Sequence, residues 1–478
     1  MRRPLHLTSV ILLAAGAACS DSSPPSSAPA PGGGESITGR ERIGWTQPAS
    51  SSAELAQYRY ALYVDGTRRV LEGETCASES RPGGFDCSAP LPALTPGRRR
   101  LELAAFMEST TGPIEGTRSA PLEVTVAGSA AQAPAAPPQG GVVVSSDGIR
   151  LQAAILARDL LDPVDLAVAG DRVYTAEKDG RVRSFGGDGR ATPMDQNVLE
   201  GMRDSEGATL VSLAAAPDFP ESRLLYAASV TDGHDGPVLR VTRFREAGGT
   251  LGEAAVITSL AVTQGASTQI RFGPDRHLYV AIGSGEEPGL AQDLASSAGK
   301  IIRLRADGTQ PDDNPGPSGV LSLGHRDPRG LAWQGTAQTL WMLDRQDDLE
   351  ELNQIQPGGN YGAPVVSGSQ RYPGALVPVL TIPSGTDMTG LAAITSRSSP
   401  LAGDLIASAA GAEDLLRIRI AADGRARVAA RLLQGRFGRI RAVQSAGDGS
   451  LYFVTGNEDR WGPGRDVLIS LSVAELYR

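Results

Sequence analysis

Leu-Gly-His-Arg-Asp-Pro-Arg-Gly-Leu-Ala-Trp, at residues 323–333, is the stretch from which the rest of the chain is interpreted. It places His325 and Arg326 in a turn bounded by Gly324 and Pro328, directly before an apolar run typical of a strand. A charged pair on such a turn indicates a bound ligand. The alternative is a surface arginine that only pairs with an acidic neighbour, and these residues alone leave both readings open.

Before and after this stretch, the chain repeats one sequence pattern: a turn, a β-rich run, a Gly/Asp turn and another β-rich run. The repeats cover residues 163–185, 210–245, 270–304, 330–355, 390–420 and 439–471. Each unit of about 50 to 55 residues is long enough for four short antiparallel strands. The sequence therefore predicts an all-β fold with a six-bladed β-propeller at residues 142–478, and the axial depression of the propeller is the expected ligand site.

Composition supports a strand-rich protein and excludes one class of partner. The 58 glycines and 33 prolines favour many short strands joined by turns. The formal net charge is −9, with 54 acidic against 45 basic residues, which argues against nucleic acid as a partner.

The first residues resemble a bacterial export signal. Residues 1–19 combine two early arginines, a short apolar run and small residues. The run is too short for a permanent membrane span. The end of this segment, Gly-Ala-Ala-Cys, resembles a lipobox, so Cys19 is the predicted lipidation site, with ordinary signal cleavage as the alternative. Residues 20–37 form a Ser/Pro/Gly-rich tether. We expect an exported protein of the cell envelope that contacts the membrane only through this lipid.

A first globular domain is predicted at residues 38–127. Its segments alternate as strands with one buried face do, and turns separate them. An early Trp45, the strand at residues 58–64, the Leu-Thr-Pro-Gly turn at 94–97 and the closing strand resemble a fibronectin type III module. Such β-sandwiches usually bind, space or present other parts. An Ala/Pro/Gly linker follows at residues 128–141.

This domain contains the two cysteines that remain if Cys19 is lipidated or removed. Cys76 and Cys87 form an even pair in an exported chain, so they are predicted to form a disulfide. Two thiols with no histidine nearby are too few ligands for a metal site.

Several motifs of the propeller region occur in the order seen in one family. They are Phe-Gly-Pro-Asp at 272–275, Gly-Lys-Ile-Ile-Arg-Leu at 299–304, Gly-His-Arg-Asp-Pro-Arg-Gly-Leu at 324–331, Glu-Leu-Asn at 351–353 and Gly-Asn-Tyr-Gly at 359–362. Together they resemble the glucose/sorbosone dehydrogenase family, the soluble quinoprotein sugar dehydrogenases, over about residues 150–475. The resemblance implies pyrroloquinoline quinone (PQQ) and calcium in the axial well, where a histidine takes the sugar hydroxyl proton as hydride passes to the quinone.

The same resemblance assigns arginines to the cofactor. Arg326 matches the family's arginine beside the quinone, and Arg439 and Arg441 match the two that hold cofactor carboxylates. Guanidinium groups bind carboxylates through paired, charge-assisted hydrogen bonds. The i, i+2 spacing predicts that Arg439 and Arg441 share one strand face, with a solvated face as the alternative. Inward arginines without acidic partners would require an anion in the well.

The position of the family's catalytic histidine falls on Gly265, which has no side chain to accept a proton. General-base catalysis is worth about 100-fold to 10,000-fold, so its loss predicts very little turnover. His234, His277 and His325 are the histidines beyond the predicted signal. We expect His325 to be a structural hydrogen-bonding residue, His277 to be exposed, and His234 to lie on a loop that could reach the well.

Other family features are also replaced. The residue before the Gly-Leu-Leu-Gly run falls on Gly207, the calcium-holding Gly-Pro pair on Arg345 and Gln346, and the stacking aromatic on Ala363. The family lysine has no counterpart near residues 409–414. An acidic loop could still bind calcium through carboxylate oxygens, although such a charge run is more often solvated; it comprises Asp344, Asp347, Asp348, Glu350 and Glu351.

Two functions follow from these observations. One is a PQQ-dependent aldose dehydrogenase-like oxidoreductase with weak or altered activity, which uses Arg326, Arg439 and Arg441 to bind PQQ or a related anion. The other is a catalytically inert propeller that binds a glycan or a protein at the cell surface. The arginines favour the first hypothesis, and the missing histidine favours the second.

Overall fold

The computed structural model describes residues 10–13, 35–37, 42–71, 74–77, 83–91, 97–107, 114–126, 140–186, 197–199, 202, 207–234, 236–315, 319–457 and 464–474. Cys19 and most of the predicted signal, tether and linker lie outside the described residues. No helix in the described ranges is long and apolar enough to cross a membrane. The chain divides into two units, Met1–Ala133 and Pro134–Arg478.

The described residues of the first unit form two β-sheets. Its described elements are β1 (Val10–Leu13), β2 (Glu35–Ile37), β3 (Arg42–Gln47), α1 (Ser52–Leu55), β4 (Arg59–Val64), β5 (Thr67–Val70), β6 (Thr75–Cys76), β7 (Phe85–Pro90), β8 (Gly97–Met107), β9 (Ile114–Glu115) and β10 (Leu122–Val126). One sheet has the order β1-β3-β7-β6, and the other has the order β2-β10-β8-β4-β5 with β9 added on β8.

The two sheets of this unit share one hydrophobic core. Trp45 and Phe85 from one sheet pack with Tyr60 and Leu103 from the other. The predicted disulfide is confirmed, because Cys76 and Cys87 lie opposite each other on β6 and β7 and are bonded. The relation of the unit to fibronectin type III modules stays a prediction.

The described residues of the second unit form six sheets. Blade I is β13 (Pro163–Ala169), β14 (Arg172–Glu177), β15 (Arg181–Gly186) and β16 (Asn197–Val198); blade II is β17 (Thr209–Ala215), β18 (Leu224–Gly233), β19 (Gly236–Ala247) and β20 (Thr250–Ala261); blade III is β21 (Thr268–Phe272), β22 (Leu278–Ile282), β23 (Lys300–Leu304) and β24 (Val320–Leu323). Blade IV is β25 (Pro328–Gln334), β26 (Thr339–Arg345), β27 (Leu349–Gln354) and β28 (Leu380–Pro383), and blade V is β29 (Met388–Ala393), β30 (Leu405–Ala409), β31 (Asp414–Ile420) and β32 (Ala426–Arg431).

Blade VI joins the two ends of the unit. It has the order β11-β12-β35-β34-β33, formed by β11 (Gly141–Val144), β12 (Arg150–Leu160), β33 (Ile440–Ser445), β34 (Leu451–Thr455) and β35 (Asp466–Val473). Short helices interrupt the loops: α2 (Phe219–Ser222) and the 3-10 helices Pro288–Gln292 and Ser384–Thr386. The first strand of each blade packs on the first strand of the next, and β33 packs on β13, so the ring is closed. The predicted all-β fold and six-bladed propeller are confirmed.

Burial follows the position of each strand in its blade. The middle strands β22 and β23 are buried at every residue because neighbouring blades cover both of their faces. The outer strand β32 is mostly exposed. The β-rich runs recognised in the sequence are therefore the inner three strands, whose near-continuous apolar character is the strongest signal.

Candidate functional site

The innermost strands surround a cavity of about 270 Å³ on the propeller axis. Every blade contributes residues from the beginning of its first strand to the lining of this axial well. One from each blade is Val164, Val211, Gln269, Arg329, Thr389 and Arg441. All six strands begin at the same end of the ring, so the well opens on the face where their preceding loops lie.

Backbone irregularities accompany this lining. In five of the six innermost strands the pairing register shifts by one residue near the start, and the residue skipped is Val164, Val211, Arg329, Thr389 or Arg441. All five of these residues line the axial well. A β-bulge turns a side chain away from its regular alternation, and bulges are common beside functional sites. Arg329 was not predicted as a lining residue because an inserted residue of this kind leaves no mark in an apolar sequence pattern.

Three cationic side chains line the axial well: Lys178, Arg329 and Arg441. Asp162 lies between two of them, 3.3 Å from Arg441 Nη2 and 3.8 Å from Lys178 Nζ. Arg329 Nη2 lies 2.6 Å from Asp327 Oδ2. The two arginines that line the well therefore have acidic partners, so the condition under which they would require an anion is not met. Among the described residues, the well still carries three cations around the partly buried carboxylate of Asp162.

The other carboxylate that lines the well, that of Asp165, is paired with an arginine. Asp165 is 2% exposed and accepts two 2.8 Å hydrogen bonds from the guanidinium of Arg271, which is 8% exposed. Ser212 Oγ also donates to Asp165, at 2.6 Å. These residues belong to blades I, II and III, so the cluster links three blades. A buried carboxylate held in this way is a structural partner of the arginine and the serine.

Four polar atoms of residues that line the well are buried without a hydrogen-bond partner among the described residues. They are Ser267 Oγ, Thr268 Oγ1, Gln269 Oε1 and Arg329 Nε. Gln269 is 7% exposed. Most buried polar groups in proteins are paired, so such a concentration at one cavity indicates a polar ligand.

A second cavity of about 440 Å³ adjoins the well and contains Arg326. Consecutive residues connect the two cavities, because Gly265 and Asp327 line this side cavity and the residues after them line the well. Arg326 Nη1 donates to Gly285 O at 2.7 Å, and its Nε lies 3.6 Å from Asp347, whose side chain is 86% exposed. Arg326 therefore lines the side cavity, and its carboxylate partner, Asp347, is a solvent-exposed side chain.

The predicted arginines are only partly brought together. Arg326 lines the side cavity and Arg441 lines the axial well. Arg439 precedes β33, its backbone N–H donates to Asn457 Oδ1 at 2.8 Å, and it is absent from the lining of both cavities. The bulge at Arg441 changes the regular i, i+2 alternation on which the shared face was predicted.

No histidine in the described part of the chain lines either cavity. His325 is fully buried, its Nε2 lies 2.8 Å from Ser322 Oγ, and its ring stacks on Tyr361. His277 contacts Arg303, and His234 lies at the end of the β18–β19 hairpin. Gly265 adopts φ +71° at the third position of a turn closed by Ala266 N–H to Thr263 O.

The acidic loop does not form a metal site. Glu350 and Glu351 are each 1% exposed, and they accept backbone N–H groups of Met388 and Gly368. Burial raises the pKa of each of these carboxyls to about 7. Asp344 accepts the backbone N–H groups of Arg326 and Asp327. Among the described residues there is no group of three or more His, Cys, Asp or Glu side chains that could hold a metal ion.

A six-bladed propeller with a polar, cation-lined axial well is the class of protein that these observations define. The chain belongs to the Glucose / Sorbosone dehydrogenase family, whose model matches residues 160–461. Among curated relatives, it is 26% identical over 274 residues to aldose sugar dehydrogenase YliI of Escherichia coli and 29% identical over 205 residues to quinoprotein glucose dehydrogenase B of Acinetobacter calcoaceticus.

The aligned lengths differ among these relatives. The matches cover 52% of this chain and 74% of the E. coli protein, but 36% of this chain and 43% of the Acinetobacter protein. An uncharacterised Synechocystis protein is 35% identical over 35% of this chain and 46% of its own length, so less than half of that relative is spanned.

A solved structure agrees with the fold. The PQQ-bound aldose sugar dehydrogenase from Streptomyces coelicolor is 28% identical, with a TM-score of 0.57, and the match covers 68% of this chain and 98% of that one. The apo form of the E. coli aldose sugar dehydrogenase gives a TM-score of 0.59 at 23% identity, covering 68% of this chain and all of that one. The family and the propeller are therefore shown.

Proposed function

We propose that the axial well binds PQQ and that the protein oxidises aldoses with low turnover. The observation that carries this proposal is the set of three cations that line the well, Lys178, Arg329 and Arg441. The four buried polar atoms without a hydrogen-bond partner, described above, lie on residues of the same lining. PQQ bears three carboxylates, so the charge of the well and the charge of the ligand are complementary. A PQQ-bound Streptomyces relative supports the choice of ligand.

The residues present fit this group by charge and by hydrogen-bonding capacity. Arg441 and Lys178 would hold carboxylates on one side and Arg329 on another, while Thr268 and Gln269 would supply neutral polar contacts. When bound, PQQ supplies a two-electron acceptor for hydride from the sugar carbon that bears the oxidised hydroxyl. The calcium expected from the family has no carboxylate cluster to hold it in the described part of the chain.

The predicted low turnover rests on the groups that could take the sugar proton. Histidine is absent from the described lining of both cavities, Asp165 is paired with Arg271, and Asp327 is paired with Arg329. Both carboxylates are already engaged by a guanidinium group, which a substrate hydroxyl would have to displace. Loss of an efficient base costs about 100-fold to 10,000-fold in rate.

A second candidate function is an inert propeller that binds a glycan or protein at the cell surface. The specific observation in its favour is that, across the described residues, neither cavity is lined by a histidine or an aromatic side chain. Ala363, at the position of the family's stacking aromatic, is 1% exposed and packs inside a loop. Under either function we propose export by residues 1–19 and lipidation at Cys19.

Titration of the purified full-length protein with PQQ, with and without calcium, tests the proposal. Saturable binding should weaken about 10-fold to 100-fold in Arg441→Ala and in Lys178→Ala, because each removes a charge-assisted contact. Arg276→Ala is the matched control, since Arg276 is exposed and pairs with Asp218 far from the well. Arg439→Ala tests whether the arginine just before β33, which is absent from the lining of both cavities, also contributes to PQQ binding. Aldose-dependent dye reduction then measures turnover.

Lack of saturable PQQ binding would contradict the oxidoreductase proposal and leave the inert propeller. Binding without any dye reduction would limit the function to ligand binding. Binding that falls in Arg439→Ala but not in Arg441→Ala would place the cofactor outside the axial well.

A further inference from the structure

A third cavity lies between blades III and IV, on the face of the propeller opposite the axial well. It has a volume of about 310 Å³ and is lined by residues at the end of β25, the β25–β26 turn, the end of β27 and the start of β22. The axial well instead collects residues from the start of each first strand. Strands alternate in direction within a blade, so these two sets of strand ends lie on opposite faces of the ring.

An aromatic pair forms one wall of this blade III–IV cavity. Trp333 and Tyr279 meet edge to face, with ring centroids 4.9 Å apart and planes at 72°. Gly273 makes room for the indole, because a Cβ there would lie 3.1 Å from Trp333 Cζ2. Tyr279 is itself fixed by a 2.8 Å hydrogen bond from its hydroxyl to Asp275. The indole is therefore a held, partly exposed apolar surface rather than a mobile side chain.

Uncharged polar side chains face the same space. Gln338, Thr339 and Gln354 line the cavity, and their side chains make no hydrogen bond to another described residue. Amides and hydroxyls that are both donors and acceptors suit a ligand with many hydroxyl groups. Gln338 sits at the β25–β26 turn with φ +50°, so its backbone is set by the hairpin.

Arg303 and Asp313 are the charged side chains among the described residues that line the cavity, and they pair with each other. Arg303 is held by Asp275 at 2.9 Å and by Asp313 at 2.7 Å, and its side chain is 9% exposed. This guanidinium has no spare capacity for a ligand anion. Asp313 is 71% exposed and can still accept hydrogen bonds from hydroxyl groups. A neutral ligand is favoured over an anionic or cationic one.

We infer that this cavity is a second, non-catalytic binding site for a neutral saccharide. One face of a pyranose carries C–H groups that pack on an aromatic ring, and its rim carries hydroxyls that need amide, hydroxyl and carboxylate partners. Trp333 supplies the first surface, and Gln338, Gln354 and Asp313 supply the second. The site would retain a glycan at the protein on the face away from the axial well, independently of the proposed dehydrogenase activity.

Isothermal titration of the full-length protein with D-glucose, cellobiose and di-N-acetylchitobiose tests this inference. We expect saturable binding of at least one probe, weakened about tenfold by Trp333→Ala and less by Trp333→Phe, which keeps an aromatic ring. Gln338→Ala, on an exposed turn, should weaken the same binding without affecting folding. Tyr372→Ala is the matched control because Tyr372 is 52% exposed and lies outside the cavity.

Two results would overturn the inference. One is no saturation by any of the three probes up to about 50 mM, which is beyond the range of a specific weak site. The other is saccharide binding that survives Trp333→Ala and Gln338→Ala but is lost in Arg441→Ala, since the sugar would then lie in the axial well. Circular dichroism of each variant verifies that it is folded.

Discussion

Gly265 lies in a turn at the position where the family resemblance predicts a catalytic histidine. Its φ of +71° belongs to the left-handed region that glycine adopts without cost. A Cβ built there meets no atom within 4 Å, so the side cavity has space for a side chain at this position. Histidine is among the residues that tolerate positive φ better than most. If a base is missing here, as the family resemblance predicts, the reason is the residue type and not a lack of space.

Gly265→His should raise aldose-dependent dye reduction of the PQQ-loaded protein by at least about tenfold, since a positioned general base is worth about 100-fold to 10,000-fold. The left-handed backbone should cost about 1 to 2 kcal/mol of unfolding free energy. Gly265→Ala has the same backbone cost but no base, and it should not gain activity. Equal rates for the two variants would mean that proton removal is not what limits turnover.

Glu350 makes the stability of the protein depend on pH. Burial raises the pKa of its carboxyl to about 7 in the folded protein, from an ordinary value of 4.5. Between these pH values the folded state binds more protons than the unfolded state, so this residue lowers stability as pH rises from about 4.5 to about 7. Above pH 7 its full cost is present, and below pH 4.5 it disappears.

Glu350→Gln should therefore stabilise the protein at pH 8, by about 2 to 4 kcal/mol relative to its effect at pH 4.5. The amide oxygen can still accept the N–H of Met388, which the carboxylate accepts at 2.6 Å. Urea unfolding at both pH values measures the difference. Glu287→Gln, at an exposed position, is the control and should show no such trend. A pH-independent effect of Glu350→Gln would contradict a raised pKa.

At the scale of single elements, the turn that carries Arg326 is fixed by a buried carboxylate. Asp344, on β26, is fully buried and accepts the N–H of Arg326 at 3.1 Å and that of Asp327 at 2.7 Å. The predicted turn between Gly324 and Pro328 is thus held by its neighbouring strand. This partner lay within the acidic loop that the sequence suggested as a calcium site.

Asp344→Ala should lower the unfolding free energy by about 2 to 4 kcal/mol, because two backbone donors lose their acceptor. Amide hydrogen exchange at Arg326 and Asp327 should accelerate more than at residues of blade I. Asp347→Ala removes a carboxylate that is 86% exposed and should change stability by no more than about 0.5 kcal/mol. If both variants behave alike, Asp344 does not hold the turn.

The sequence predicted the propeller strands correctly. It predicted the side chains that line the axial well less reliably. Runs such as Leu278–Ile282 are apolar throughout because blades cover both faces, and that signal is visible in any sequence. The bulges at Arg329 and Arg441 depend on the closure of the whole ring, which has no local signature. Lys178 was also missed, because it follows the end of β14 and reaches the well only through the packing of blade I.

At the scale of the whole molecule, the ring is closed by a strand from its beginning. β12 (Arg150–Leu160) pairs with β35 (Asp466–Val473), and its Leu151 and Ala153 join the core of the last blade. Leu160, also on β12, packs with residues of blades I and VI. Without β12, the long strand β35 would be an unpaired edge, and such edges promote aggregation.

A chain that begins at residue 140 should therefore unfold cooperatively, whereas a chain that begins at residue 162 should lose its cooperative transition or aggregate. The second chain lacks the buried side chains of β12 and also exposes the backbone of β35. A peptide of residues 140–161, added during refolding of the shorter chain, should restore the transition if closure alone is missing. Calorimetry and light scattering measure these outcomes. A shorter chain as stable as the longer one would mean that the other blades hold the ring without its closing strand.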